Sequence, residues 1–202
     1  MKRAGLTVSL TTLFALGILA AESMQEAGGD VPVFQIVQEE SSINFGVKAS
    51  VRIEGKFDKW DATLTFASAE ISTGVMDIKI WAATVNTGSG MKDKKLRSKD
   101  FFDVKKDPFI TFRSTKFVQT GPKAFDISGT FTIRGVSKPE TLRFASPDIG
   151  KGSGEIDGTM AFDRREFGMN SGIPFIKIAD RVEVTVVLKG KRVSGPPLDF
   201  KQ

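Results

Sequence analysis

The side chains that could carry out chemistry in this chain are carboxylates, lysines and serines, because its 202 residues include no His and no Cys. Without cysteine there is no disulfide, no CxxC redox pair and no thiolate nucleophile. Without histidine there is no Ser-His-Asp triad, and His- or Cys-ligated zinc, haem and iron–sulfur sites are excluded. We therefore predict no metal site and no cofactor. Carboxylate or Ser-Lys catalysis remains open, as does binding without a reaction.

Two segments resemble catalytic motifs but lack the required spacing. Residues 150–154 (GKGSG) are rich in glycine, but a phosphate loop needs four residues between its first Gly and the Gly-Lys-Ser/Thr. Glu155 and Asp157 lie on one face of a predicted strand, and a retaining glycosidase needs its two carboxyl groups about 5 Å apart. The next residue on that face is Thr159. We predict that the protein is not an enzyme, with a hydrolase as the remote alternative.

A basic cluster is the main candidate for contact with a polar ligand. It comprises Lys92, Lys94, Lys95, Arg97 and Lys99. Helical spacing would distribute these charges around a helix, which favours a solvated surface. Their position beside Phe101 and Phe102 favours a basic mouth for an anionic headgroup, formed by Lys94, Lys95 and Arg97. The net charge of +5 is spread along the chain with both signs mixed, so we predict no nucleic-acid partner.

A period of two dominates the elements that must position these residues. Apolar and polar residues alternate over 43–47, 51–57, 76–80, 125–133, 156–162 and 182–188, which predicts half-buried strands. Shorter candidates are Phe34–Gln38, Ala62–Phe66, Phe109–Lys116 and Thr141–Phe144, and one helix is expected near Met91–Asp100. Eight to ten strands at regular spacing predict an all-β sandwich or barrel. Gly55, Gly129 and Gly158 lie on the apolar phase, where glycine marks a bend, a bulge or free space.

The N-terminus has the three parts of a secretory signal peptide. Met1-Lys2-Arg3 is basic, residues 6–21 are apolar and uncharged, and Ala21-Glu22-Ser23 places small residues at a cleavage site. An anchoring helix is the alternative, although it would need roughly 20 residues to span a bilayer. We expect a signal peptide at 1–23, a flexible lead-in at 24–32, a folded domain at 33–191 and a loose tail at 192–202, in a periplasmic or secreted protein.

Four segments in a fixed order resemble one family. They are 96–103 (LRSKDFFD), 108–115 (PFITFRST), 129–139 (GTFTIRGVSKP) and 164–168 (RREFG). Over roughly residues 33–190 the chain resembles the YceI-like family, the lipocalin-like polyisoprenoid-binding proteins of bacteria. Relatives often carry His where this chain has Lys48 and Lys95, so no haem- or metal-linked role is carried over.

The resemblance implies an extended eight-stranded antiparallel β-barrel with one short helix. It also implies an apolar tunnel that holds a polyisoprenoid, a quinone tail or a fatty amide for transport, storage or sequestration. Transient membrane contact and a homodimer are compatible with it. The alternative is an interaction or scaffold module whose barrel is filled by its own side chains. The residues expected to line the tunnel are Phe45, Val47, Ile53, Phe57, Phe66, Ile78, Ile80, Leu96, Phe101, Phe102, Phe112, Phe131, Ile133, Phe162 and Phe167.

Overall fold

A computed structural model describes residues 31–50, 52–146, 152–172 and 177–200 of the chain. The predicted signal peptide and most of the predicted lead-in lie outside these residues. Within the described part, no helix has both the length and the apolar character needed to cross a membrane.

Eleven strands and one α-helix follow each other along the described parts of the chain. The strands are β1 (Val33–Ile36), β2 (Ser42–Ala49), β3 (Ile53–Phe57), β4 (Trp60–Thr65), β5 (Val75–Trp81), β6 (Val85–Asn86), β7 (Phe109–Gly121), β8 (Ala124–Ile133), β9 (Val136–Ala145), β10 (Ser153–Asp163) and β11 (Ile178–Ser194). The helix α1 (Gly90–Arg97) lies between β6 and β7, and short 3-10 turns at Gln38–Glu40, Ile71–Thr73, Ala82–Thr84 and Arg164–Phe167 connect other elements.

The strands close into an antiparallel barrel. Hydrogen bonding runs in the order β1-β4-β5-β7-β8-β9-β10-β11, and β11 pairs back onto β1. This confirms the eight-stranded barrel. The remaining strands β2, β3 and β6 extend the wall at one end, because the long strand β11 pairs with β2 through its first half and with β1 through its second half.

The chain has more strand segments than expected because three barrel strands are each broken in two. A 3-10 turn at Gln38–Glu40 separates β1 from β2, residues 58–59 separate β3 from β4, and a 3-10 turn at Ala82–Thr84 separates β5 from β6. Each break lets a strand bend while its two halves keep pairing along the same wall. The barrel is thereby lengthened without additional strands around its circumference.

Three inward glycines are covered by phenylalanine rings from adjacent strands. Gly55 and Gly158 are paired directly with Phe45 and Phe144, and a Cβ at either glycine would collide with that ring. Gly129 is covered in the same way by the ring of Phe112 and is also crowded by the backbone of β7. The interpretation of these glycines as free space is therefore wrong, because each ring occupies the volume that a side chain would fill.

Residues 192–200, the described part of the segment predicted as a loose tail at 192–202, are packed against the barrel. Strand β11 continues to Ser194, and Leu198 and Phe200 are partly buried against the core. The ring of Phe200 meets that of Phe125 edge to face, with centroids 6.1 Å apart. Burial of these apolar side chains holds the segment on the barrel.

Candidate functional site

In the described part of the chain, two apolar cavities lie in the barrel interior, one toward each end. We call them the helix-end cavity, of about 70 Å³, and the C-terminal cavity, of about 90 Å³. On β7, Ile110 lines the helix-end cavity and Phe117 lines the C-terminal cavity. On β8, Ile133 lines the helix-end cavity and Ile127 lines the C-terminal cavity. No residue lines both cavities, so within the described residues the apolar interior is divided into two separate spaces.

A belt of buried side chains separates the two cavities. Ile78, Phe112 and Phe131 lie at one register across β5, β7 and β8 and line neither cavity. Phe167, from the 3-10 turn after β10, packs its ring against Phe131 and Phe162 at centroid distances of 5.6 and 5.2 Å. We call Ile78, Phe112, Phe131 and Phe167 the belt. These four residues and Ile80 are the predicted tunnel residues that are buried but line neither cavity.

The helix-end cavity brings together most of the predicted tunnel residues. They are Phe45, Val47, Ile53, Phe57, Leu96, Phe101, Phe102, Ile133 and Phe162. Strands β2, β3, β8 and β10 contribute inward positions, and α1 with the following residues 101–102 closes the end. Asp93 fixes α1 because its carboxylate accepts hydrogen bonds from the Thr87 backbone N–H at 2.8 Å and the Thr87 hydroxyl at 2.7 Å. The wall is apolar, as expected for a site that holds a hydrocarbon chain.

The three residues predicted to form a basic mouth do not lie in the wall of the helix-end cavity. Lys94 is exposed, and none of Lys94, Lys95 and Arg97 lines the cavity. Lys95 instead pairs with Asp100 at 2.6 Å, and this hydrogen bond lowers the pKa of the Asp100 carboxyl. Arg97 turns back and donates to the Val85 carbonyl at 2.9 Å. The lysine of α1 that does line the cavity is Lys92.

Arg164 is a buried cation in the wall of the helix-end cavity. Its guanidinium pairs with Asp180 at 3.0 Å and donates to the backbone carbonyls of Ala179, Met169 and Ser171. The Asp180 carboxylate accepts from both Arg164 and Arg165. Because its N–H groups donate to other groups of the protein, Arg164 connects the loop after β10 to β11.

Of the residues that line the C-terminal cavity, sequence reasoning named only Phe66, as a residue of a single tunnel. The lining of this cavity includes Phe34, Phe66, Phe117, Phe125 and Phe144, with Leu198 and Phe200 from the C-terminal segment. The alternation of Phe125 and Ile127 showed that these side chains point inward. It gave no sign that they would surround a space, because that depends on how β7, β8 and β9 bend around it.

Comparison with known proteins identifies the architecture. The sequence model of the YceI-like domain matches residues 34–190 of the chain. The chain belongs to the YceI-like family. The matched segment runs from Phe34 in β1 to Gly190 in β11 and so includes part or all of each of the eight strands of the closed barrel. Within the described part of this YceI-like protein, no group of three or more carboxylates is arranged to hold a metal ion.

Relatives and solved structures agree with this assignment. The YceI-like chain is 30% identical over 145 residues to a UPF0312 protein of Pseudomonas aeruginosa, covering 68% of this chain and 73% of that protein. Its fold is similar to that of BcnA from Burkholderia cenocepacia, with a TM-score of 0.69 and 25% identity over 77% of this chain and 99% of BcnA. A polyisoprenoid binding domain from Saccharophagus degradans shares the fold with a TM-score of 0.61 at 14% identity, over 80% and 99% of the two chains.

Proposed function

We propose that this protein is a non-enzymatic, exported lipid-binding barrel that holds the chain of an isoprenoid, a quinone tail or a fatty amide for transport, storage or sequestration. The observation that carries the proposal is the pair of apolar cavities inside a closed barrel. Export rests on the N-terminal sequence, which predicts a periplasmic or secreted protein. The Saccharophagus degradans protein with this fold is a polyisoprenoid binding domain, which supports an isoprenoid as the ligand class.

The energetics favour exchange of a ligand with a membrane. Removing a hydrocarbon chain from water is worth about 25 cal/mol per Å², but such a chain normally lies in a bilayer. Transfer from bilayer to barrel replaces one apolar environment by another and is nearly neutral in hydrophobic free energy. A carrier or buffer needs this balance, so chain length and headgroup must determine which ligand is held.

The cavities, of about 70 and 90 Å³, are each smaller than the roughly 150 Å³ that holds benzene. A short chain therefore has to move side chains of the cavity it enters, and a long polyisoprenoid also has to displace the rings of Phe112 and Phe131. The belt is also the observation that favours the alternative function, a scaffold module with a self-filled core. That alternative predicts no ligand binding at either end.

A surface outside the helix-end cavity supports transient membrane contact. Trp81 and Phe109 meet edge to face at 5.6 Å, Lys59 lies over the Trp81 ring at 4.6 Å, and Lys79 lies over the Phe109 ring at 4.0 Å. Phe109 precedes Ile110, which lines the cavity from the other face of β7. Aromatic rings flanked by lysines are the side chains that anchor proteins at anionic membrane surfaces.

Replacing Lys92 with glutamine is expected to weaken geranyl phosphate binding about tenfold while leaving geraniol binding unchanged. Lys92 is the lysine of α1 that lines the helix-end cavity. We expect its ammonium to reach a headgroup at the cavity rim, so that a charge-assisted contact to phosphate is lost in the variant. Isothermal titration of both ligands into the wild-type and variant proteins measures the difference.

Lys94→Gln is the matched control, because it removes the same charge from the exposed face of α1. It is expected to bind both ligands as the wild type does. An equal loss for both ligands in Lys92→Gln would contradict the headgroup role. Failure of both ligands to bind the wild-type protein would contradict the proposed function and favour the scaffold module.

A further inference from the structure

The C-terminal cavity is lined by an arginine and is covered by the C-terminal segment of the chain. Arg192, near the end of β11, lines the cavity, and Pro197, Leu198 and Phe200 form part of its wall. These C-terminal residues occupy the open end of the barrel, where their side chains take the place of an apolar ligand. Among the described residues, Arg192 is the cation that lines this apolar cavity. An apolar cavity with a cation at its edge matches a single-chain amphiphile that carries a carboxylate or phosphate.

The C-terminal segment is attached through a glycine turn that Arg192 clamps. Gly195 has a φ of +79°, in the left-handed region, and a Cβ there would collide with the Val31 carbonyl. A guanidinium N–H of Arg192 donates to the Gly195 carbonyl oxygen. Beyond the turn, the Asp199 N–H donates to the Ala69 carbonyl at 2.8 Å, and Asp199 forms an isolated parallel bridge with Glu70.

These contacts make the cation and the cover interdependent. The guanidinium has further N–H donors, so a headgroup breaks the bond to the Gly195 carbonyl only if it draws the whole guanidinium toward the cavity. Loss of that bond loosens the turn, and release of Leu198 and Phe200 enlarges the cavity for the chain. Ligand and C-terminal segment would then exclude each other, since both fill the same apolar volume and use the same guanidinium.

We infer that the C-terminal cavity is a second ligand site, specific for anionic single-chain amphiphiles and closed by the protein's own segment 195–200. The inference rests on the proposed lipid-binding function, and it adds a separate site with its own regulation. Binding there requires the segment to leave, whereas binding in the helix-end cavity does not.

Because the chain has no cysteine, a disulfide lock tests the inference without competing thiols. Glu70 and Asp199 are exposed bridge partners, and neighbouring strands lie about 4.8 Å apart, within the span of a disulfide. The double variant E70C/D199C of the full mature chain is analysed by native mass spectrometry with geranyl phosphate. Its reduced form is expected to bind two ligands per chain and its oxidised form one.

The outcomes separate this inference from the proposed function. Equal ligand counts in the oxidised and reduced forms would overturn the cover while leaving lipid binding intact. Absence of binding in both forms and in the wild type would overturn both. Inorganic phosphate alone, which has the charge without the chain, is expected to leave hydrogen exchange of residues 196–200 unchanged. Faster hydrogen exchange of these residues with phosphate alone would identify a simple anion site and would overturn the specificity for amphiphiles.

Arg192→Gln provides a second test that does not depend on disulfide formation. It is expected to accelerate hydrogen exchange of residues 196–200 and to reduce the preference for geranyl phosphate over geraniol about tenfold at the second site. Lys191→Gln removes the same charge from an exposed neighbour on β11 and is expected to change neither quantity. Equal behaviour of the two variants would overturn the role of Arg192.

Discussion

Replacing Arg164 with methionine is expected to lower the free energy of unfolding by about 3–5 kcal/mol, the range found when one partner of a buried ion pair is removed. The Arg164 side chain is only 7% exposed. Its loss leaves the carbonyls of Met169, Ser171 and Ala179 without this donor, and unsatisfied buried polar groups are costly. Urea unfolding followed by fluorescence measures the effect.

Arg165→Met is the matched control for this change. Arg165 pairs with the same carboxylate, Asp180, at 2.9 Å, but its side chain is 61% exposed. An exposed pair contributes about 0–1 kcal/mol, so this variant is expected to unfold almost as the wild type does. If the two changes lower the free energy of unfolding equally, burial of Arg164 does not determine its contribution to stability. The role of Arg164 in holding the loop after β10 would then be wrong.

Replacing Val184 with tryptophan is expected to reduce ligand affinity at the helix-end cavity by roughly 100-fold or more, equivalent to about 2.7 kcal/mol. Val184 lines this cavity from β11 and is paired with Phe45 on β2 and Met160 on β10. An indole at this position fills the space that the ligand would take. Titration with geraniol, whose binding does not depend on a headgroup charge, measures the loss.

The control and the folding check use the same strand. Thr185→Trp places the same indole on the exposed outer face of β11 and is expected to leave affinity unchanged. Overpacking costs about 1–3 kcal/mol, so the Val184 variant is first compared with the wild type by circular dichroism. If the Val184→Trp variant does not fold, the smaller change Val184→Leu is tested in its place. A folded variant with unchanged affinity at this end would show that the helix-end cavity is not the site.

The barrel was predictable from the sequence because its cause is local. Alternation in segments such as 125–133 places every second side chain inward, and the structure buries Phe125, Ile127, Phe131 and Ile133 accordingly. The same pattern does not report how far a strand continues. The predicted strand Thr141–Phe144 is part of the longer β9, in which Pro139 is paired with Thr130 of β8.

The division of the interior was not predictable because it depends on cross-strand register. The ring of Phe144 covers Gly158 only because the two residues face each other across β9 and β10. The alternation of apolar and polar residues does not report that pairing. The tunnel residues were therefore identified as inward-facing, but the sequence did not separate those that line a cavity from those that form the belt.

The polar residues of the site were the least predictable. Similar basic side chains occur at Lys92, Lys94, Lys95 and Arg97. Their roles differ because α1 ends at Arg97 and because Lys95 forms an ion pair with Asp100. The C-terminal segment was expected to be loose because it is rich in Gly and Pro. Two apolar side chains, Leu198 and Phe200, find an apolar opening at the barrel end, which only the folded structure reveals.

Native mass spectrometry of the purified mature protein, followed by solvent extraction and lipid identification, tests lipid binding most directly. We expect a stoichiometric adduct that extracts as an isoprenoid, a quinone or a fatty compound, or that forms on incubation with polyprenyl phosphates and quinones. A mass equal to that of the bare chain, unchanged after those incubations, would contradict lipid binding. The barrel would then be a self-filled scaffold.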